Sequence, residues 1–187
     1  MKKFAPLLAA ACLVLSGCSG LNGTNAQGYI TGDGQVLQFK PADRGAPIVL
    51  TGSSLAGQPV DIASYAGKPL VINVWWSGCG PCRTEMPMLV KAAAELKGKA
   101  SFLGIDIRDL SREGAIAFAL DKGVTYPSIY DPKGKALLAF SGEVSPRSPP
   151  TTLILDGQQR VAAMISGEIP SKLTLTELVE QIAAEDG

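Results

Sequence analysis

Two cysteines separated by two residues, Cys79-Gly80-Pro81-Cys82, stand between an apolar run, Leu70 to Trp76, and a helical pattern that takes over at Arg83-Thr84-Glu85-Met86-Pro87. The run Leu70-Val71-Ile72-Asn73-Val74-Trp75 reads as a central strand buried on both faces. From Pro81 to Lys97 the apolar positions Met86, Leu89, Val90, Ala93 and Leu96 keep a helical period, with Gly98 as stop. Pro87 inside that pattern predicts a kink. Two thiols at such a strand-to-helix junction can close into a disulfide and open again. The loop they enclose is too short to remove much unfolded-state entropy, so the pair is better explained by chemistry than by stability.

Composition narrows that chemistry. The 187 residues suffice for one domain with a full core, and 46% apolar with 18% charged residues is a globular balance. The formal net charge of +0 gives no argument for a nucleic-acid partner. There is no His. That excludes Ser-His and Cys-His catalysis, imidazole metal sites and the haem-attachment pattern Cys-x-x-Cys-His, whose fifth place is Arg83 here.

The N-terminus reads as a targeting segment rather than fold. Met1-Lys2-Lys3 is a basic start, and Leu7 to Leu15 is an apolar stretch too short to span a bilayer, which needs about 20 residues. Leu15-Ser16-Gly17-Cys18 then looks like a bacterial lipobox. On that reading residues 1–17 are a lipoprotein signal peptide, Cys18 is lipidated, and acyl chains anchor the protein to the membrane. The other reading is an ordinary signal peptide cut nearby, with Cys18 incidental. With Cys12 in the signal, Cys79 and Cys82 are the thiols that remain. Residues 18–28, small and polar, form a tether, and 29–187 the folded domain.

Along that domain, Tyr29 to Lys40 with Gly32-Asp33-Gly34 reads as an N-terminal hairpin. Ile48-Val49-Leu50 reads as a strand, Gly52 to Gly57 as a turn, and Asp61 to Tyr65 as a helical turn stopped by Gly67. Ser101 to Ile107 is a strand. Ser111 to Lys122 is a helix capped by Ser111, with Ile116, Phe118, Ala119 and Leu120 as its apolar residues. Turns at Tyr126-Pro127-Ser128 and Asp131 to Gly134 flank a short segment, and Ala136 to Phe140 reads as one or two helical turns. Thr151 to Leu155 and Arg160 to Ile165 are strands joined through Asp156-Gly157. A closing amphipathic helix, Ser171 to Ala184, is built on Leu173, Leu175, Leu178, Val179 and Ile182. The order predicts an α/β fold: a mixed central sheet flanked by helices, with the cysteines at the carboxyl end of a central strand.

Asn73-Val74-Trp75 with Cys79-Gly80-Pro81-Cys82-Arg83-Thr84-Glu85-Met86-Pro87 resembles the core motif of the TlpA/ResA-like branch of the thioredoxin superfamily. Gly67-Lys68-Pro69 ahead of the strand and Pro150-Thr151-Thr152-Leu153-Ile154-Leu155-Asp156 downstream are similar to that branch as well. The resemblance implies a thioredoxin fold from about Ala46 onward and a redox-active Cys79–Cys82 disulfide. It also implies a cis Pro150 facing the cysteines. Trp75, Trp76, Pro150 and Thr151 are then the candidate substrate contacts, and neither cofactor nor metal is implied. Phe102-Leu103-Gly104-Ile105-Asp106 and Tyr126 to Pro132, with the lipobox, resemble actinobacterial lipoproteins of this branch assigned to cytochrome c maturation. The partners so implied are exported proteins with disulfides, apocytochrome c among them, and a membrane thiol–disulfide electron carrier. The place implied is the extracytoplasmic face of the cell membrane.

Two positions depart from the branch. Gly78 stands where it usually has Trp, with Trp76 two residues earlier, and Pro149, which has no N–H, precedes Pro150.

Cys79 falls at a helix N-terminus, where free N–H groups and the dipole stabilise a thiolate, so it is the expected nucleophile and Cys82 the resolving thiol. A zinc half-site and an inert disulfide are the competing readings; zinc wants about four ligands, and no further Cys or His remains. Glu85, three residues past Cys82, is either an acid that tunes the thiols, as the resemblance implies, or a solvated residue of the first turn. Asn73 occupies the place of thioredoxin's buried Asp and cannot relay a proton, which leaves Glu85 as the candidate. Trp75 and Trp76 are either core or contact residues. The direction of exchange stays open between reductase and disulfide-forming oxidase. A non-catalytic thioredoxin-like binding module is the alternative from another class.

Overall fold

The strand β5 (Leu70–Trp75) is buried at all its positions, and the rest of the domain is arranged around it. The computed structural model describes residues 29–30, 35–141, 144, 146 and 148–185. The expected signal peptide, Cys18, the tether and the Gly32-Asp33-Gly34 turn lie outside those residues.

On one side β5 pairs in parallel with β6 (Ser101–Asp106), which pairs in parallel with β7 (Ser128–Tyr130). On the other it pairs antiparallel with β8 (Thr151–Leu155), followed outward by β9 (Val161–Ser166), β2 (Val36–Gln38) and β1 (Tyr29–Ile30). The seven-stranded mixed sheet runs β1-β2-β9-β8-β5-β6-β7, with a separate hairpin of β3 (Thr51–Ser53) and β4 (Pro59–Asp61). Register fixes directions across it: Tyr29 lies level with Gln38, Ala163, Ile154 and Val71, and β1 runs the same way as β5.

The helices α1 (Gly80–Glu95), α2 (Arg112–Asp121) and α3 (Lys172–Glu185) share one core with Val71, Trp75, Phe102 and Ile154. The opposite face (Ile72, Val74, Leu103, Ile105, Leu153) is covered by Val60 of β4 and by two 3-10 turns, Ile62–Tyr65 and Lys135–Phe140. Asp61 caps the first of these by accepting the Ala63 N–H, and Gly67 follows in the left-handed region at φ 92°.

Several expectations give way. Ile48 to Leu50 is not a strand: the Ile48 N–H donates to Gln159 O and Leu50 O accepts from Ile62, so its bonds go to two separate partners. The strand begins at Thr51 instead, inside the segment expected to turn. Leu120 and Leu173, expected to face the core, are 73% and 62% exposed, because α2 and α3 bury Phe118 and Leu175 on their inner faces instead. Far from the cysteines, Arg44 is buried against Asp156 at 3.2 Å and also contacts Glu185, joining the N-terminal segment to the β8–β9 turn and the end of α3.

Candidate active site

The chain leaves β5 at Trp75 and reaches α1 through Trp76, Ser77, Gly78 and Cys79. The Cys79 N–H donates to Trp76 O at 3.1 Å, closing a turn that sets Cys79 at the helix N-cap. There its Sγ accepts the Cys82 N–H at 3.2 Å, and the two sulfurs are joined as a disulfide. Pro81 in the first turn needs no N–H partner there. Cys79 is 6% exposed and flanked by exposed Gly78 and Gly80, whereas Cys82 is 0% exposed. Both cysteines are buried, Cys82 completely and Cys79 with a small exposed remainder beside the open backbone of Gly78 and Gly80.

Glu85 is buried, not solvated. It accepts Asn73 Nδ2 at 2.9 Å and the Ile169 N–H at 3.1 Å, and Asn73 also donates to Thr152 Oγ1 at 3.2 Å. Burial raises its carboxyl to about 7, against the lowering effect of those two hydrogen bonds. The site thus holds a buried acid that titrates near neutrality, three residues past Cys82 on the same helix.

Trp75, a candidate contact, belongs to the core: it is 0% exposed and its ring meets Phe118 at 5.3 Å. Trp76 is half-buried, and its ring lies over Gly78, where a Cβ would come within 2.3 Å of it. Gly78 is what makes room for the Trp76 ring, since any side chain there would meet it. The Pro149–Pro150 bond is cis and Pro150 is buried. Thr151 is buried too, its hydroxyl donating to Ser148 O at 2.7 Å, so its side chain shapes the loop and is not free to meet a partner.

Sequence reasoning missed the outer support of the loop. Asp109 Oδ2 accepts the Ser77 N–H at 2.7 Å, and Oδ1 accepts the Ser77 hydroxyl at 2.6 Å. Arg83 Nη1 donates to Ser77 O at 3.0 Å. Asp109 lies thirty-two residues downstream, and no motif marks it.

The redoxin family model matches residues 36–182. The thiol:disulfide interchange protein DsbE homolog of Paracoccus denitrificans is 27% identical over 192 residues, 99% of this chain and all 100% of that one. The thiol-disulfide oxidoreductase ResA of Bacillus thuringiensis is 28% identical, covering 94% and 96%. Among solved structures, a DsbF homologue from Corynebacterium diphtheriae has 33% identity and a TM-score of 0.75, covering 83% of this chain and 98% of that one. A secreted thiol-disulfide isomerase from Corynebacterium glutamicum has 29% identity and a TM-score of 0.76, covering 84% and 97%. With a disulfide at a helix N-cap on a thioredoxin-like sheet, the chain belongs to the redoxin family and is a thiol–disulfide oxidoreductase of the ResA/DsbE type.

Proposed function

We propose that the protein reduces disulfides of exported proteins on the outer side of the cell membrane, held there by lipid on Cys18 through the 18–28 tether. Among the described residues no helix is long and apolar enough to cross a membrane. The observation that carries the exchange itself is the asymmetry of the pair, with Cys79 at the helix N-cap and slightly exposed and Cys82 within the helix and fully buried. Cys79 thiolate attacks a substrate sulfur, forming a mixed disulfide and releasing one substrate thiolate, which takes a proton. Cys82 then attacks Cys79 Sγ, which frees the second substrate thiol and leaves the Cys79–Cys82 disulfide. Two electrons from a membrane thiol–disulfide carrier restore the dithiol. Trp76 and the Pro150 loop are the proposed contacts for the substrate chain.

The reducing direction is supported by Glu85. A strong oxidant needs its reduced form stabilised, and a buried acid that ionises near neutrality disfavours thiolate beside it. Apocytochrome c, whose Cys-x-x-Cys-His must be reduced before haem attachment, is the proposed substrate, on the likeness to DsbE and ResA.

Equilibration with dithiothreitol, followed by Trp fluorescence, should give a potential near −270 mV, on the order of thioredoxin's. A value near −120 mV would make the protein an oxidase. Cys79→Ala should abolish insulin reduction and Cys82→Ala should accumulate mixed disulfides. A Cys79→Ala protein as active as wild type would mean that this pair does not carry the exchange.

A further inference from the structure

Asp106 ends β6 facing the helix side of the sheet, in register with Trp75 on one side and Tyr130 on the other. It is 0% exposed, and neither of its carboxyl oxygens receives a donor among the described residues. The charged groups that bear on it are the carboxylates of Asp109, in the loop after β6, and Asp131, after β7. The nearby cations are turned elsewhere. Arg112 of α2 lies over the Tyr130 ring at 4.6 Å and donates to Ser54 O. Arg83 of α1 holds Ser77 O and lies over Phe118, Lys122 pairs with Asp121, and Arg108 is exposed. Among the described residues, an ionised Asp106 would be a buried charge with two like charges and no counter-ion. In its acid form that repulsion is gone, and Asp109, the carboxylate that acts on it most strongly, can accept its proton.

Asp109 in turn is held at its main chain. Its carbonyl accepts Tyr130 Oη–H at 3.0 Å, and Arg108 before it adopts φ 66° with its N–H on Pro132 O. The Asp109 carboxylate is therefore fixed from behind while both its oxygens take Ser77, two residues ahead of Cys79.

We propose that Asp106 and Asp109 share one proton as a buried acid–carboxylate pair, in which Asp109 is the positioning residue for the loop carrying Cys79 and Asp106 is its anchor. Burial, first, and then Asp109 and Asp131 raise Asp106 to about 9, so the pair keeps its proton through neutral pH and loses it in alkali. Loss of that proton sets two carboxylates against each other and loosens the hold on Ser77. The catalytic part of the proposal rests on Cys79–Cys82 as the working redox pair; the loop part does not.

The test uses the oxidised full chain, in which neither Cys79 nor Cys82 titrates. The Ser77 amide resonance, followed by NMR from about pH 6 to about pH 11, should move in one transition near pH 9. Asp106→Asn, whose amide still donates to Asp109, should keep the Ser77 shift seen at neutral pH and lose the transition. Asp109→Ala should speed Ser77 amide exchange about tenfold or more, and slow disulfide exchange at neutral pH by about tenfold. Where the alanine variant does not fold, Asp109→Asn, which keeps an acceptor for the Ser77 N–H but removes the like charge that bears on Asp106, should move the transition to lower pH than in wild type. A transition that persists in Asp106→Asn, a Ser77 amide as protected in Asp109→Ala as in wild type, or an unmoved transition in Asp109→Asn overturns the pair. Wild-type exchange rates in an Asp109 variant whose Ser77 amide is exposed overturn only the positioning role. If wild type catalyses no exchange, the redox reading fails while the amide measurements still decide the pair.

Discussion

Glu85 sits on the inner side of α1, and its two partners come from distant parts of the chain: Asn73 on β5 and the Ile169 N–H ahead of α3. Those bonds hold the carboxyl in place without cancelling the effect of its burial, which is why it titrates at about 7. In the proposed mechanism, ionised Glu85 opposes thiolate formation at the cysteines. Glu85→Gln should therefore lower the thiol pKa values by roughly half to one unit and remove the step near neutral pH from the exchange-rate profile. Alkylation rates of the reduced protein against pH would show both. Unchanged thiol pKa values would leave Glu85 a structural acid. Pro149 has no N–H to offer, so in the proposed docking a substrate strand would depend there on carbonyl acceptors and on the Trp76 ring.

At the scale of elements, β5, β6 and β7 approach each other over Gly104. A Cβ there would fall 2.1 Å from Ser128 Oγ and 2.6 Å from Trp75 Nε1. Gly104→Ala should destabilise the protein by about 1–3 kcal/mol, since overpacking in a full core forces neighbours off their rotamers. Urea denaturation measures this, and a loss below about 0.5 kcal/mol would show that β7, an edge strand, simply yields. These elements also show what a sequence discloses. β5 was legible from its apolar run and α1 from its period and its cysteines, because local pattern and burial agree there. The cis Pro150 was legible through its motif. Ile48 to Leu50 was not, since an apolar triplet does not reveal whether its N–H and C=O groups meet one strand or two separate partners. Leu120 and Leu173 looked like core residues, yet each helix had apolar residues to spare on its inner face. Nothing local set Asp106 apart within the strand Ser101 to Ile107. Asp106 is buried where β6 pairs with β7, and its partner Asp109 is set by a loop conformation that no pattern encodes.

For the molecule as a whole, two buried acids bias stability toward acid. Both have folded pKa values raised above their unfolded ones: Glu85 from 4.5 to about 7 and Asp106 from 3.8 to about 9. Over those ranges the folded state binds more protons than the unfolded, so stability is fully present below about pH 4 and falls as pH rises. The loss from Glu85 is complete above about pH 7 and that from Asp106 above about pH 9. Each acid alone sets a slope of up to about 1.4 kcal/mol per pH unit while only its unfolded form is ionised. Thermal melts should thus give a lower Tm at pH 8 than at pH 5. Glu85→Gln should flatten the lower part of the curve and Asp106→Asn the part that extends into alkali; a flat wild-type profile would contradict both assignments. The register of the sheet carries a last consequence. Because β1 runs the same way as β5, with Tyr29 level with Val71, the chain enters the domain from the end opposite the cysteines. If lipid holds Cys18, the leash attaches at one pole and the disulfide faces out from the other. The segment from Cys18 to Gly28 reaches at most about 40 Å. Soluble clients would meet the reactive pole directly, whereas a donor embedded in the bilayer must wait for the domain to turn over on its leash.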